Sequence, residues 1–172
     1  MKKKLLPFSL TAFAILADQL SKAFIVKNWP QFGIIWPLGP DVFDNSFLGI
    51  YHVRNTAIAF SLGHNLPEWL KPVLFVALPV AVLALLMVYY FKSDEFSVVQ
   101  RWALAGILGG GLGNIIDRIF RSDGVVDFIS VKLYGLFGFE RWPTFNLADS
   151  FVVACGLLLL VSVFFPGKKA KH

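Results

Sequence analysis

One cysteine, two methionines and three histidines are a thin supply of metal-holding and disulfide-forming side chains for a chain of 172 residues. The single thiol, Cys155, has no partner in the chain, which excludes a secreted disulfide scaffold. It lies inside an apolar run and reads as an inert, buried thiol. His52, His64 and His172 stand at no metal-ligand spacing, and no H-E-x-x-H or C-x-x-C occurs. No metal and no cofactor is therefore expected. The serines fall in no G-x-S-x-G elbow, and the one glycine-rich stretch lies inside an apolar run, not in a phosphate-cradling loop. Charge is scarce as well: Asp, Glu, Lys and Arg make up 16% of the chain, against 56% hydrophobic residues and a mean hydropathy of +0.66. That balance excludes an ordinary soluble domain and fits a small integral membrane protein.

The net charge of +5 does not indicate nucleic acid, because the cations flank apolar runs. Lys2, Lys3 and Lys4 precede the first run; Lys168, Lys169 and Lys171 follow the last. Four segments are long enough to span a bilayer, which takes about 20 apolar residues. They cover about 5–26, 72–91, 102–120 and 147–165, within one domain of 1–172. The basic, apolar start also resembles a cleavable signal peptide, but no A-x-A-like site follows and apolar character resumes past Lys22, so a retained helix is expected. With four spans, the terminal lysine clusters and the short connection bearing Lys92 and Arg101 fall on one side. The positive-inside rule puts that side, and both termini, in the cytoplasm. The 27–71 and 121–145 connections then face outside.

A connection as long as 27–71 is unusual without structure of its own. "FLGIYHVRNTAIAFSL" (47–62) carries β-branched and aromatic residues in partial alternation, after turn residues Pro37, Gly39, Pro40 and Asn45. A small outer hairpin or sheet is expected, with Trp29, Trp36, Phe47, Tyr51 and Trp69 at the interfacial aromatic level. "GVVDFISVKLYG" (124–135) reads as a further strand or a short amphipathic helix.

Polar residues gather at span ends. Asp18 and Lys22 stand at i, i+4 on the first span, with Gln19 beside them; a lysine able to snorkel has no need of an adjacent acid, so a functional or network role is favoured. The third span offers a small-residue face of Gly106, Gly109, Gly110 and Gly113, then Asn114, Asp117 and Arg118 at its outer end. Arg118 is read as pairing with Asp117, which settles that charge, or as reaching lipid phosphate or a backbone carbonyl. Asp127 stands between apolar neighbours shortly after this span, and Asp149 opens the fourth, three residues after Asn146. If the third and fourth spans are antiparallel neighbours, the two acids lie near the same interface. Two carboxylates in contact share one proton at neutral pH, which suits metal-free peptide hydrolysis. Two other readings stand beside this one: a small proton-coupled transporter and a non-catalytic scaffold glued by polar groups.

"DQLSK" (18–22), "RNTAIAFS" (54–61), "GNIIDRI" (113–119), "VVDFI" (125–129) and "FNLADS" (145–150) occur in one order across nearly the whole chain. In these motifs the chain resembles the lipoprotein signal peptidase (signal peptidase II) family of bacteria. The resemblance implies a mainly α membrane protein with four transmembrane helices and an extracytoplasmic β-cradle, mapped to about 34–62, plus a half-helix near 63–71 or in the 130s. It implies an aspartic endopeptidase of the cytoplasmic membrane. Such an enzyme cleaves diacylglyceryl-modified prolipoproteins before the lipidated cysteine and is blocked by globomycin-type peptides. By the same resemblance Asp127 and Asp149 are the catalytic pair. Asp18, Lys22, Asn55, Asn114, Asp117, Arg118, Asn146 and Ala148 match positions that support the pair or contact substrate. Membrane lipids and substrate are the expected partners, with no nucleic acid, and a monomer is expected. One departure stands out: Ala57 occupies a position where the family usually has Gly, which bears on the bonding around Asn55.

Overall fold

The computed structural model describes residues 2–29, 31, 43–56 and 66–165. Ala57, the proline and glycine turn at 37–40 and residues 63–65 of the expected half-helix at 63–71 lie outside the described residues; the rest of that stretch is a turn leading into the second long helix at Leu70. Among the described residues four helices are long and apolar enough to cross a membrane: α1 (Phe8–Asn28), α2 (Leu70–Lys92), α3 (Val98–Phe120) and α4 (Leu147–Phe164). A turn of helix, Lys2–Leu5, leads into α1. The fold is thus mainly α, with a small three-stranded sheet at one end of the helices.

Two helix starts are set by side chains. Ser97 and Gln100 form a reciprocal capping box: Gln100 N donates to Ser97 Oγ (3.2 Å) and Ser97 N donates to Gln100 Oε1 (2.9 Å). This starts α3 at Val98, earlier than the apolar run alone indicates. Asn146 and Asp149 form a second box at the start of α4. In α2, Pro79 has no N–H to donate, and the chain approaches it through a wide turn over Val73–Ala77, closed by Leu78 N donating to Val73 O.

Helix α3 is the most buried of the four, and the other helices pack around it. Its glycines form the expected small-residue face, which is shared between α1 and α4. Gly109 and Gly113 turn toward α1, where an added Cβ at Gly109 would sit 2.8 Å from Ala14 Cβ. Gly106 and Gly110 turn toward α4, where Cys155 fills the space beside Gly106. Thr11 Oγ1 donates to Ala105 O (2.7 Å), closing the α1–α3 contact. At the end bearing Lys4, Tyr90 Oη donates to Lys4 O (2.7 Å) and Lys4 Nζ donates to Phe91 O (3.0 Å), tying α2 to the start of the chain.

The sheet lies at the opposite end. Strands β1 (Phe43–Asp44), β2 (Leu48–Asn55) and β3 (Val125–Val131) pair antiparallel in that order. Residues 124–135 thus supply a strand rather than a helix. Register runs Val53↔Asp127, Arg54↔Val126 and Asn55↔Val125, with an irregularity between Ile50 and Val53. Val126 and Phe128 pack on Ile25 of α1, flanked by Trp29, Ile50, Ile129 and Leu147, so the sheet rests on the ends of α1 and α4. In the 130s there is a single 3-10 turn, Leu136–Gly138, rather than a half-helix.

Close approach of α3 and α4 depends on Gly110, whose added Cβ would lie 2.3 Å from the backbone oxygen of Ala148. Gly110→Ala is expected to cost about 1–3 kcal/mol, as overpacking does, and to lower the melting temperature in detergent. Gly156→Ala on α4, where an added Cβ meets nothing within 4 Å, is the contrasting case. It should be neutral or stabilising, because Ala is the better helix former.

Candidate active site

The site begins with a buried ammonium. Lys22 on α1 is 0% exposed and does not snorkel to water. Its Nζ meets three acceptors: Asp18 Oδ2 at 2.8 Å, Asp117 Oδ2 at 3.0 Å and Asn114 Oδ1 at 3.0 Å. A lysine has three N–H donors and no acceptor, so this cage uses its whole capacity. Each acid also holds backbone. Asp18 Oδ1 accepts from Ala148 N (3.0 Å) at the α4 start, and Asp117 Oδ2 accepts from Val126 N (3.1 Å) at the β3 start. One cation thereby fixes α1, α3, α4 and β3 to one another.

The same cation sets the direction of the amides beyond it. Because Lys22 only donates, Asn114 must turn its oxygen toward Lys22 and its NH2 away. Asn114 Nδ2 donates to Asp149 Oδ1 (2.7 Å), and Asn114 Oδ1 accepts from Asn146 Nδ2 (3.0 Å) as well. Asn146 Nδ2 then donates to Asp127 Oδ1 (2.7 Å), while Asn146 Oδ1 accepts from Asp149 N (3.0 Å). Asn146 N completes the box by donating to Asp149 Oδ2 (3.2 Å). Asn146 therefore touches both acids, with its side chain on Asp127 and its backbone on Asp149.

Asp127 reaches this point because β3 is sewn to the chain before α4. Phe128 N and Ile129 N donate to Phe145 O (3.1 and 2.8 Å), and Phe145 N donates to Ile129 O (3.0 Å). Asn55 Nδ2, from β2, donates to Asp127 Oδ2 (2.9 Å). Asp127 is only 2% exposed, whereas Asp149 is half-buried. Burial first, and the charge of Asp149 second, push the Asp127 carboxyl up to about 7, against the pull of Asn55, Asn146 and Lys22. Asp127 is thus a carboxyl able to hold a proton at neutral pH, beside a second carboxyl that water can reach.

The structure brings Asp18, Lys22, Asn55, Asn114, Asp117, Asn146, Ala148, Asp127 and Asp149 into this one network. Arg118 departs from the expected pairing with Asp117. Asp117 pairs with Lys22 and with Arg121 instead. Arg121 stands one helical turn on, whereas Arg118 is rotated about 100° from Asp117 around the helix. Arg118 makes no ion pair among the described residues; Asp149, then Asp127, then Asp117 are the carboxylates whose charge acts on it. Two contributors were not assigned a role from sequence. Gln19 Nε2 lies 3.0 Å from Asp117 Oδ1 and 3.0 Å from Gly113 O. For Arg121, the i, i+4 spacing from Asp117 was the available signal.

Fold and site together define a four-span membrane protein with two acids bridged by one asparagine at one end of its helix bundle. The chain belongs to the signal peptidase II family, whose model, described as signal peptidase (SPase) II, matches residues 10–165. It is 47% identical to the lipoprotein signal peptidase of Treponema denticola, over 96% of this chain and 92% of that one. It is 41% identical to the lipoprotein signal peptidase of Treponema pallidum, over 94% and 84%. Two solved structures, each described as a bacterial membrane enzyme, superpose with TM-scores of 0.75 and 0.73, both at 25% identity. The first likeness covers 97% of this chain and 93% of the other, the second 94% of each.

Lys22→Met should leave the Asp18 and Asp117 carboxylates buried without their shared cation. Breaking a buried ion pair from one side costs about 3–5 kcal/mol, and a melting curve in detergent measures the loss. Neutralising the acids in the same protein, as Lys22→Met with Asp18→Asn and Asp117→Asn, should recover part of it.

Asp127 gives a pH signature. Unfolded, its carboxyl ionises near 3.8; folded, it holds its proton to about 7. Between those values the folded state binds more protons, so this contribution to stability falls as pH rises and is flat above about 7. Melting temperature measured from pH 4 to 8 should carry that decline, and Asp127→Asn should flatten it.

Proposed function

We propose that this chain is the peptidase that removes signal peptides from lipoprotein precursors, with Asp127 and Asp149 as its catalytic pair. The substrate is a diacylglyceryl-modified prolipoprotein, and the bond cut is the one before the lipidated cysteine. The observation that carries this reading is Asn146, which bonds Asp127 at 2.7 Å and Asp149 at 3.2 Å at once. It is joined by the burial of Asp127 and, second to it, the charge of Asp149, which together keep a proton on Asp127 near neutrality.

In the mechanism that follows, the pair holds one proton between its two carboxyls. The ionised member takes a proton from a water, and that water's oxygen attacks the scissile carbonyl carbon. The protonated member donates to the developing oxyanion. Collapse of the tetrahedral species breaks the C–N bond, and a proton passes to the leaving amine, returning the pair to its starting state. Asn55, Asn114 and Asn146 aim the two carboxyls. Arg118, in the field of both acids, is free to meet a carbonyl or carboxylate of bound substrate. Asp18, Lys22, Asp117 and the backbone of Ala148 hold the helix ends on which the pair stands.

The membrane setting fits the chemistry. A lipid-anchored precursor presents its scissile bond at the interface, and these acids stand at the start of α4 and on the strand β3 that follows α3. The proton-coupled transporter reading fits less well. No charged residue lies between Arg101 and Asp117 on α3, after Asp149 on α4, or between Lys71 and Lys92. A charged path across the spans is therefore lacking in the sequence. We further propose a single domain of 1–172 acting as a monomer in the bacterial cytoplasmic membrane, with both termini on the cytoplasmic side. Globomycin-type peptides are expected to compete with substrate for the same site.

Asp127→Asn and Asp149→Asn should each lower cleavage of a diacylglyceryl lipobox peptide by about 10³-fold or more, near the upper range for general acid–base groups. Both variants should still melt cooperatively. Near-normal turnover by either would remove the pair from catalysis.

A further inference from the structure

On β2, next to Asn55, Arg54 is 7% exposed, yet its Nε and Nη1 have no hydrogen-bond partner. Arg121 lies near enough for its charge to act on Arg54, but Arg121 is already paired with Asp117. The opposing charge that acts most on Arg54 is Asp123, which is solvent-exposed, forms no ion pair with it and accepts from Ser122 Oγ (3.0 Å). Two buried guanidinium nitrogens without an acceptor are an expensive arrangement, because they have given up water with no hydrogen bond in return. Guanidinium N–H groups are the usual partners of phosphate oxygens.

Depth points the same way. Arg54 pairs in register with Val126, just past the turn that ends α3. The last residues of that helix, Ile119 and Phe120, are 54% and 78% exposed apolar side chains on a membrane-spanning element. Arg54 therefore stands where an apolar, lipid-facing surface gives way to the sheet, the level at which headgroup phosphates lie. His52, two residues earlier and 4% exposed, bonds Trp29 O through Nδ1 (2.9 Å) and leaves Nε2 without a partner. Since a carbonyl only accepts, Nδ1 carries the hydrogen and Nε2 presents a lone pair that suits a hydroxyl.

We propose that Arg54, with His52 beside it, forms a binding site for a phosphate ester bearing a hydroxylated headgroup, separate from the two acids. Such a group comes either from a membrane phospholipid or from a soluble phosphate. The site does not depend on Asp127 or Asp149, so its test stands apart from the test of catalysis.

The full-length protein, delipidated in detergent, is titrated with phosphatidylglycerol, with a phosphate-free diacylglycerol, and with inorganic phosphate. Native mass spectrometry reads the lipids and ³¹P NMR reads phosphate. Wild type should bind phosphatidylglycerol at least about 10-fold more tightly than Arg54→Gln, the loss expected for a charge-assisted phosphate contact. Diacylglycerol should show no such difference, and Arg54→Lys should retain part of the binding. Arg54-dependent binding of inorganic phosphate with no lipid preference would assign the soluble source. Equal phosphatidylglycerol and phosphate binding by wild type and a folded Arg54→Gln, or none by either, overturns the proposal. Melting curves establish that the variants are folded.

Discussion

The structure depends on one ammonium held out of water. Lys22 lies inside the helix bundle, and its three donors are matched by Asp18, Asp117 and Asn114. An ion so placed is tolerable only if every hydrogen is used and charge is balanced nearby. The balancing acids are not spare. Asp18 holds the first turn of α4 and Asp117 holds the first residues of β3. The cation therefore sets where two chain segments, one carrying Asp149 and the other Asp127, begin.

Polarity spreads outward from that point. A donor-only group fixes Asn114, Asn114 fixes Asn146, and Asn146 presents N–H groups to both acids. A network with no free choice of amide orientation is pre-organised, and no rearrangement is needed to aim the acids. For the proposed peptidase this matters because the pair must hold one proton while a peptide and a water are brought to it. Glycines on α3 allow the close contact: Gly110 lets α4 approach, and Gly113 leaves room for Asp18 and Ala148.

The spans were legible in the sequence, since hydropathy is a local signal; 124–135 was legible only as a strand or a short amphipathic helix, and pairing along β2 decided for the strand. The start of α3 was legible too, but from Ser97 and Gln100 rather than from hydropathy, and the apolar window missed it. Arg118 shows where spacing fails. Adjacent residues on a helix point about 100° apart, so the acid next in sequence is a poor partner, and Arg121 takes its place. Gln19 was visible only as a neighbour of Asp18, to which it donates (3.1 Å); its bonds to Asp117 and Gly113 exist only where α1 lies against α3.

By itself, the sequence determined that this is a four-span membrane protein with few charged residues inside its spans. Its five ordered motifs pointed to the family. Composition and short-range spacing suffice for those statements, because bilayer thickness and helical periodicity are fixed lengths. Only the tertiary structure decided which acid bears on which helix, that Lys22 is caged instead of snorkelling, and that one asparagine joins two carboxyls. Those facts depend on helices meeting across 19 to 130 positions of chain, as in Asn146–Asp127 and Ala148–Asp18. Packing alone sets such distances.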